Sequence, residues 1–165
     1  MIFEEQKAQR EKVMKYLSLY RIIQIRIEQL NNRLKELEND DAALIKSVSY
    51  SLTPKSKKES TGAAGYLYLK ENIIEQINNE LNNKYQMLID IQEVIKAVPY
   101  DKTERLVLEY KYIDSLSNDS ICKKMYWSFV STVNYHKQRA VDMIIKNDAS
   151  MKIINDYFNK NNQMQ

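Results

Sequence analysis

The stretch Val13–Leu37, VMKYLSLYRIIQIRIEQLNNRLKEL, sets the fold class, because its apolar residues recur at alternating steps of three and four. The residues of this first repeat are Val13, Tyr16, Tyr20, Ile23, Ile27, Leu30, Leu34 and Leu37. Heptad spacing of this kind is typical of a helix that packs along another helix. A helix over residues 3–46 would be roughly 65 Å long at 1.5 Å per residue, so we expect it to need a long partner.

A second repeat follows a polar stretch, residues 47–65, which contains Pro54 and both glycines of the chain. The second repeat comprises Leu67, Ile74, Ile77, Leu81, Leu88, Ile91, Ile95 and Val98, with Lys84 in one seam position. We expect residues 47–65 to be a flexible connector and residues 66–98 to be a helix that ends before Pro99. The two helices are predicted to form a long antiparallel coiled-coil hairpin over residues 1–98.

The composition favours an all-α fold and excludes several kinds of site. The 165 residues are 44% apolar and 28% charged, with two glycines and two prolines. This leaves few residues for the turns that connect the strands of a β-sheet. Glycine-rich phosphate loops are excluded. With one cysteine and one histidine, the chain cannot form an internal disulfide or a zinc site built on several thiolates or histidines.

The sequence gives no indication of an enzyme or of a membrane protein. We find no spaced set of carboxylates of the kind that a metal-dependent nuclease requires, so we expect no catalytic residues, no metal and no cofactor. No apolar run approaches the roughly 18 residues of a membrane span, and residues 1–10 do not form a signal peptide. We therefore expect a cytoplasmic protein that does not associate with membranes.

Shorter helices are predicted after Pro99. Asp101 and Glu104 form a plausible capping pair for a helix whose apolar face is Leu106, Val107, Tyr110 and Ile113. Ser117 is placed to cap a short helix that carries Ile121, Cys122 and Met125. Ser128 is placed to cap a longer helix whose inward residues are Val130, Val133, Ala140, Val141 and Ile144. A short helix, a tight turn and a longer helix are the layout of a helix-turn-helix.

The stretch TERLVLEYKYIDSLSNDSICKKMYWSFVSTVNYHKQRAVDMI, residues 103–144, resembles region four of bacterial sigma factors, the helix-turn-helix that reads the minus-35 promoter element. The matching features include Glu104-Arg105, Leu116-Ser117, Ile121, Ser128, Val133 and Arg139-Ala140-Val141. The whole chain resembles phage transcriptional regulators of the RinA and ArpU type. The resemblance implies a helix-turn-helix domain over residues 99–148, followed by a short helix and a polar tail over residues 149–165.

Two departures from the sigma pattern bear on the turn. Between Ser128 and Val133 this chain has one residue more than the usual spacing. Tyr126 stands where the family usually has glycine or another small residue, and a tyrosine with positive φ is unfavourable.

The outward face of the longer helix is the predicted DNA-reading surface, because a recognition helix lies in the major groove. Candidate base-reading residues are Phe129, Ser131, Thr132, Asn134, Tyr135 and Gln138. Candidate phosphate contacts are Lys123, Lys124, Ser128, Lys137 and Arg139. Residues 117–146 carry an excess of three positive charges, which equals the net charge of the whole chain. The plain alternative is that these are solvated polar residues on a short helix.

Other conspicuous residues have structural interpretations. His136 stands alone and is predicted to be packed rather than catalytic. Cys122 is predicted to be a small buried residue. Tyr126 and Trp127 are predicted to plug the core of the helix-turn-helix.

Three functions are consistent with the sequence. The leading one is a DNA-binding transcriptional regulator of a phage or prophage, with double-stranded DNA as partner, RNA polymerase as a second partner by analogy with region four, and homo-oligomers formed through the hairpin. The second is a phage small terminase subunit that acts in DNA packaging, although such proteins usually carry the DNA module first. The third is a coiled-coil adaptor that binds no DNA.

Overall fold

The computed structural model describes the backbone of residues 2–48 and 61–162, and the side chains of residues 4–39 and 64–162. Every regular element in these residues is a helix, as the composition predicted. The helices are α1 (Ile2–Val48), α2 (Thr61–Ile95), α3 (Thr103–Leu108), α4 (Asn118–Lys124), α5 (Val130–Ile145) and α6 (Asp148–Asn162). A π-helical turn, Glu109–Ile113, continues α3. None of the described helices is long and apolar enough to cross a membrane.

The connector is shorter than the sequence predicted. Helix α1 continues to Val48 and helix α2 begins at Thr61, so only residues 49–60 of the predicted connector lie outside the described residues. Helix α2 ends at Ile95 rather than Val98. The N–H of Val98 donates to the carbonyl of Ile95 at 2.9 Å, which closes a tight turn before proline prevents further helix.

Residues 23–84 form one of two compact units. Within this unit, Nζ of Lys70 on α2 lies 2.9 Å from Oε1 of Glu38 on α1. A second pair joins Arg26 of α1 to Glu80 of α2 at 3.7 Å. Within this unit α2 therefore runs antiparallel to α1.

The first repeat is confirmed by burial, and the second is partly wrong. In residues 23–84 the first repeat is buried or half-buried at Ile23, Ile27, Leu30, Leu34 and Leu37. Leu67 and Ile74 of the second repeat are exposed. The half-buried stripe of α2 in this unit instead comprises Tyr66, Lys70, Asn72, Ile73, Ile77, Glu80, Leu81 and Lys84. Its N-terminal part lies one residue before the predicted stripe, which turns Leu67 and Ile74 away from the packed face.

Residues 1–22 and 85–165 together form the other unit. Arg10 of α1 makes two hydrogen bonds to Asp142 of α5, at 2.6 and 2.8 Å. Ser150 of α6 donates its hydroxyl to the carbonyl of Val94 on α2 at 3.3 Å. The predicted boundary after residue 98 therefore falls inside a compact unit.

Helix α6 belongs to the core of this unit, although the sequence analysis assigned residues 149–165 no role. Ile154 is fully buried. The ring of Tyr16 on α1 meets the rings of Tyr157 and Phe158 edge-on, at centroid distances of 5.4 and 6.5 Å. The hydroxyl of Tyr16 is buried and has no hydrogen-bond partner among the described residues. The terminal segment thus packs on the first helix of the chain.

The helix after Pro99 differs from its prediction at its start and along its face. Lys102, not Asp101, precedes the first turn of α3, and no side chain caps it. The residues buried on α3 and the π-helical turn are Glu104, Val107, Leu108 and Tyr112, whereas Leu106 is exposed. The π-helical turn adds a residue to the repeat, so Tyr112 is buried, whereas the predicted Tyr110 and Ile113 are half-buried.

Candidate nucleic-acid interface

Helix α4 begins at Asn118, where the sequence predicted. The Oγ of Ser117 accepts a hydrogen bond from the N–H of Ser120 at 3.1 Å, which satisfies one of the free donors of the first turn. Ser117 is therefore the cap that the sequence predicted.

A small apolar core holds α3, α4 and α5 together. Its buried members are Val107, Ile121, Cys122 and Val133. Tyr110, Leu116, Met125 and Trp127 pack against them. Because each of the three helices contributes a buried residue, the core fixes α4 against α5.

The turn after α4 is a Schellman motif with tyrosine at its left-handed position. The N–H of Tyr126 donates to the carbonyl of Lys123 at 3.2 Å, and that of Trp127 donates to the carbonyl of Cys122 at 2.9 Å. Tyr126 has φ 55°, a conformation that usually requires glycine. The backbone therefore makes, at a tyrosine, a turn that is typical of glycine.

The turn also shows which aromatic residue fills the core. Trp127 packs on the apolar core and stacks on the ring of His136 at a centroid distance of 4.9 Å. Tyr126 is 96% exposed, so its prediction as a core residue was wrong. The left-handed backbone points this side chain away from the helices that follow and precede it.

Cys122 and His136 are packed, as predicted. Cys122 is buried and its Sγ donates to the carbonyl of Trp127 at 2.9 Å. The side chain of His136 is mostly buried, with Nδ1 3.2 Å from Oε1 of Glu104. Both residues therefore support the junction of α4 and α5.

Helix α5 begins later than the sequence predicted. Phe129, not Ser128, occupies the capping position, with an extended backbone and no side-chain cap. Val130, predicted to face inward, is 36% exposed, whereas Val133, Ala140, Val141 and Ile144 are buried as predicted. Because Tyr126 and Trp127 complete the preceding motif, Ser128 lies too early to cap α5.

The predicted base-reading residues lie at the start and on the first turns of α5. The exposed members are Phe129, Ser131, Asn134, Tyr135 and Gln138, and Thr132 is half-buried. Ser131 and Gln138 make no side-chain hydrogen bond among the described residues. We refer to Phe129, Ser131, Asn134, Tyr135 and Gln138 as the outward face of α5.

Asn118, which sequence reasoning did not single out, joins α4 to this face. Its Nδ2 donates to Oδ1 of Asn134 at 3.2 Å. Lys137 donates to the same oxygen at 3.2 Å. The amide of Asn134 is therefore held with its NH₂ group free of these two bonds, as a donor for a ligand.

A buried carboxylate, that of Glu104, contacts side chains of α5 next to the outward face. Glu104 is 5% exposed, and its Oε1 lies 3.4 Å from Nε of Arg139 as well as 3.2 Å from His136. Arg139 in turn donates to the hydroxyl of Tyr135 at 3.3 Å. Glu104 was predicted as a cap of α3, but it instead orders three side chains of α5.

Electrostatics favour the charged form of this carboxylate. Burial by itself would raise the pKa of Glu104, but hydrogen bonds from the backbone and from His136, together with the charge of Arg139, hold the pKa below its ordinary value. No local pattern could have revealed the pair, since Glu104 and His136 are 32 residues apart.

The predicted phosphate contacts differ in their exposure and in the contacts that their side chains already make. Lys123, Lys124 and Ser128 are exposed, and the Lys124 ammonium lies 4.9 Å from the centroid of the Tyr110 ring. Lys137 is half-buried, and the Arg139 side chain is half exposed while it contacts Glu104. Among the described residues, no three histidine, cysteine or acidic side chains come together as a metal site would require.

No protein-family model matches this chain, and neither does any curated protein or any solved structure.

Proposed function

We propose that this protein is a DNA-binding transcriptional regulator of the phage or prophage type, and not an enzyme. In this proposal α4, the turn at Tyr126 and α5 form a helix-turn-helix, and the outward face of α5 reads promoter DNA in the major groove. Helices α1 and α2 form an antiparallel coiled-coil hairpin through which copies of the chain associate. RNA polymerase is a second partner by analogy with region four, and the protein acts in the cytoplasm.

The turn carries this proposal. A Schellman motif at Tyr126 joins α4 to α5, and in the resemblance to sigma region four this is the position that usually has glycine or another small residue. The apolar core packs α4 on α5, so that one helix can cross the DNA backbone while the other enters the groove.

The chemistry of the outward face also supports DNA as the ligand. Amide and hydroxyl side chains hydrogen-bond base edges and phosphates, and an aromatic ring can contact a thymine methyl. Phe129 is 71% exposed, so its ring is accessible to such a contact. Lys123 and Lys124 are exposed at the end of α4, where they can neutralise phosphates.

Selection from a random duplex library with the full chain tests the proposal. The enriched duplex should bind more tightly than its scrambled version in fluorescence anisotropy. Gln138→Ala removes a free side chain from the outward face and should weaken binding to the enriched duplex by about tenfold, the lower part of the range for a base contact. Gln6→Ala removes an exposed glutamine from α1 and serves as the control.

The same experiment separates the alternatives. Binding without sequence preference by a ring-sized oligomer, measured by light scattering, would indicate a DNA-packaging subunit. Absence of duplex binding at low salt would leave the adaptor and contradict the proposal.

A further inference from the structure

The side-chain amide of Asn134, an exposed residue on the outward face of α5, is held by donors from two helices. Nδ2 of Asn118 on α4 donates to Oδ1 of Asn134 at 3.2 Å. Nζ of Lys137, one turn further along α5, donates to the same oxygen at 3.2 Å. The NH₂ group of Asn134 makes no hydrogen bond among the described residues. The fold therefore occupies the acceptor of this side chain and leaves its donors free.

The chemistry of the two donors fixes which way the amide points. A lysine ammonium has three donors and no acceptor, so the atom of Asn134 that Lys137 contacts must be the carbonyl oxygen. The NH₂ group of Asn118 is likewise a donor. An amide oxygen has two lone pairs, and these two bonds use both. A half-turn of the amide would place the NH₂ group of Asn134 against two other donors, so this side chain offers a ligand donors only.

The bases differ in what they offer to such a side chain in the major groove. Adenine presents the N7 acceptor beside the N6 amino donor, and asparagine pairs with both by donating from Nδ2 and accepting at Oδ1. In Asn134 the accepting atom is already bonded. Guanine presents two acceptors, O6 and N7, and lysine contacts both with a single donor nitrogen. An NH₂ group without a free acceptor beside it therefore matches guanine better than adenine.

Gln138, one turn further along the same face, shows the contrast. It is exposed and makes no side-chain hydrogen bond among the described residues, so its amide is free to turn toward either purine. The restriction at Asn134 comes from its neighbours on α4 and α5. The apolar core fixes these two helices against each other, which keeps the neighbours in place.

We propose that Asn134 recognises guanine through its NH₂ group alone, and that Asn118 and Lys137 are positioning residues that make its oxygen unavailable to a base. This inference rests on the proposed function, in which the outward face of α5 lies in the major groove. It assigns a base to one residue of that face and gives α4 a part in sequence selection.

Binding measurements with one base pair changed at a time test the inference. The duplex enriched by selection is compared with its singly substituted versions by fluorescence anisotropy, with the full original chain and with Asn134→Ala. The base pair whose replacement no longer matters in Asn134→Ala is the one that Asn134 reads. We expect a G·C pair there, and its replacement by A·T should weaken binding of the original chain about tenfold. Replacing this guanine by 7-deazaguanine, which lacks the N7 acceptor, should weaken binding about threefold, as for one lost hydrogen bond.

A double variant tests the positioning role of Asn118 and Lys137. Asn118→Ala combined with Lys137→Met removes both donors, so the amide of Asn134 becomes free to pair with adenine. The ratio of the affinities for the G·C and A·T duplexes should then fall about tenfold. This ratio cancels any loss of phosphate contacts, which carry no sequence information. Lys124→Met removes an exposed lysine of α4 and is the control, because it should weaken binding to both duplexes equally.

The outcomes distinguish this inference from the proposed function. If the original chain selects a duplex but the pair read by Asn134 is A·T, the inference is overturned while DNA reading stands. The same conclusion follows if Asn134→Ala alters no preference, or if a double variant with the Tm of the original chain keeps the original ratio. If the original chain selects no duplex, both are overturned. A G·C pair whose preference is lost in the double variant and kept in Lys124→Met establishes the inference.

Discussion

Oε1 of Glu104 on α3 lies 3.2 Å from Nδ1 of His136 on α5, and the carboxyl group is almost entirely buried. The two residues connect the helix that follows Pro99 to the helix whose outward face is proposed to read DNA. His136 stacks on Trp127 of the turn. One buried pair therefore joins α3, the turn and α5.

Glu104→Gln should lower the free energy of unfolding by about 1.5–3 kcal/mol near neutral pH, because hydrogen bonds to charged groups contribute about that much. Urea unfolding followed by circular dichroism measures it. Glu109→Gln is the matched control, since Glu109 pairs with Arg105 one turn away on a more exposed surface, where such pairs contribute about 0.3–0.5 kcal/mol. Equal losses in the two variants would contradict the role given to Glu104.

The contribution of Glu104 should also depend on pH. Because the folded-state pKa of Glu104 lies below its ordinary value, the carboxylate stabilises the folded chain above the unfolded pKa of about 4.3. This stability is lost as the pH falls through the folded pKa. The difference in unfolding free energy between the original chain and Glu104→Gln should therefore shrink in acid. A difference that stays constant from about pH 7 to pH 3 would argue against the assigned pKa direction.

Tyr126→Gly should stabilise the protein by about 0.5–1 kcal/mol, because a side chain at positive φ costs about 1–2 kcal/mol and glycine loses part of that gain through its unfolded-state entropy. The urea midpoint should rise. Tyr126→Ala removes the same exposed ring but keeps Cβ, so it should not stabilise. A rise of the same size in both variants would show that the ring, not the backbone, is the source of strain.

Tyr16→Phe should leave the free energy of unfolding unchanged or raise it by up to about 1 kcal/mol, because a buried hydroxyl without a partner is unfavourable. The ring contacts with Tyr157 and Phe158 remain in this variant. Tyr16→Ala removes those contacts and should cost about 3–5 kcal/mol, as for other large aromatic truncations. Destabilisation by Tyr16→Phe beyond about 1 kcal/mol would reveal a hydrogen-bond partner for the hydroxyl.

Tyr112 should make the protein sensitive to alkaline conditions. Burial raises the pKa of Tyr112 to about 12, whereas an unfolded tyrosine ionises near pH 10. The stability that depends on the neutral phenol is present below about pH 10 and is lost as the pH rises toward the folded value. Tyr112→Phe should flatten the fall in unfolding free energy over that window. An unaltered alkaline profile would show that Tyr112 does not ionise on unfolding there.

The parts of the fold that depend on local chemistry were predictable. The repeat from Val13 to Leu37 predicted the buried stripe of α1, and Ser117 marked the start of α4 through its capping chemistry. The start of α5 was missed because the residues of the turn, Tyr126 and Trp127, belong to the end of α4. A backbone motif of this kind carries little signal when glycine is replaced by tyrosine.

The contacts that build the candidate interface were not predictable from spacing. Glu104 and His136 combine across 32 residues, and Asn118 meets Asn134 across 16. The π-helical turn makes Tyr112 buried and leaves Tyr110 half-buried, against the regular period of a helix. Tertiary packing determines these three features, and the periodicity of a single sequence does not indicate them.

The pairing of Arg10 with Asp142 has a consequence for biosynthesis. The two residues are separated by 132 positions, so at about 5–20 residues per second the first partner is synthesised roughly 7–26 s before the second. During that interval the buried ring of Tyr16 lacks its contacts with Tyr157 and Phe158 on α6. The unit that carries the outward face of α5 is therefore completed only when the last helix has been synthesised. A fragment that begins at residue 99 would lack the α1 residues that belong to this unit.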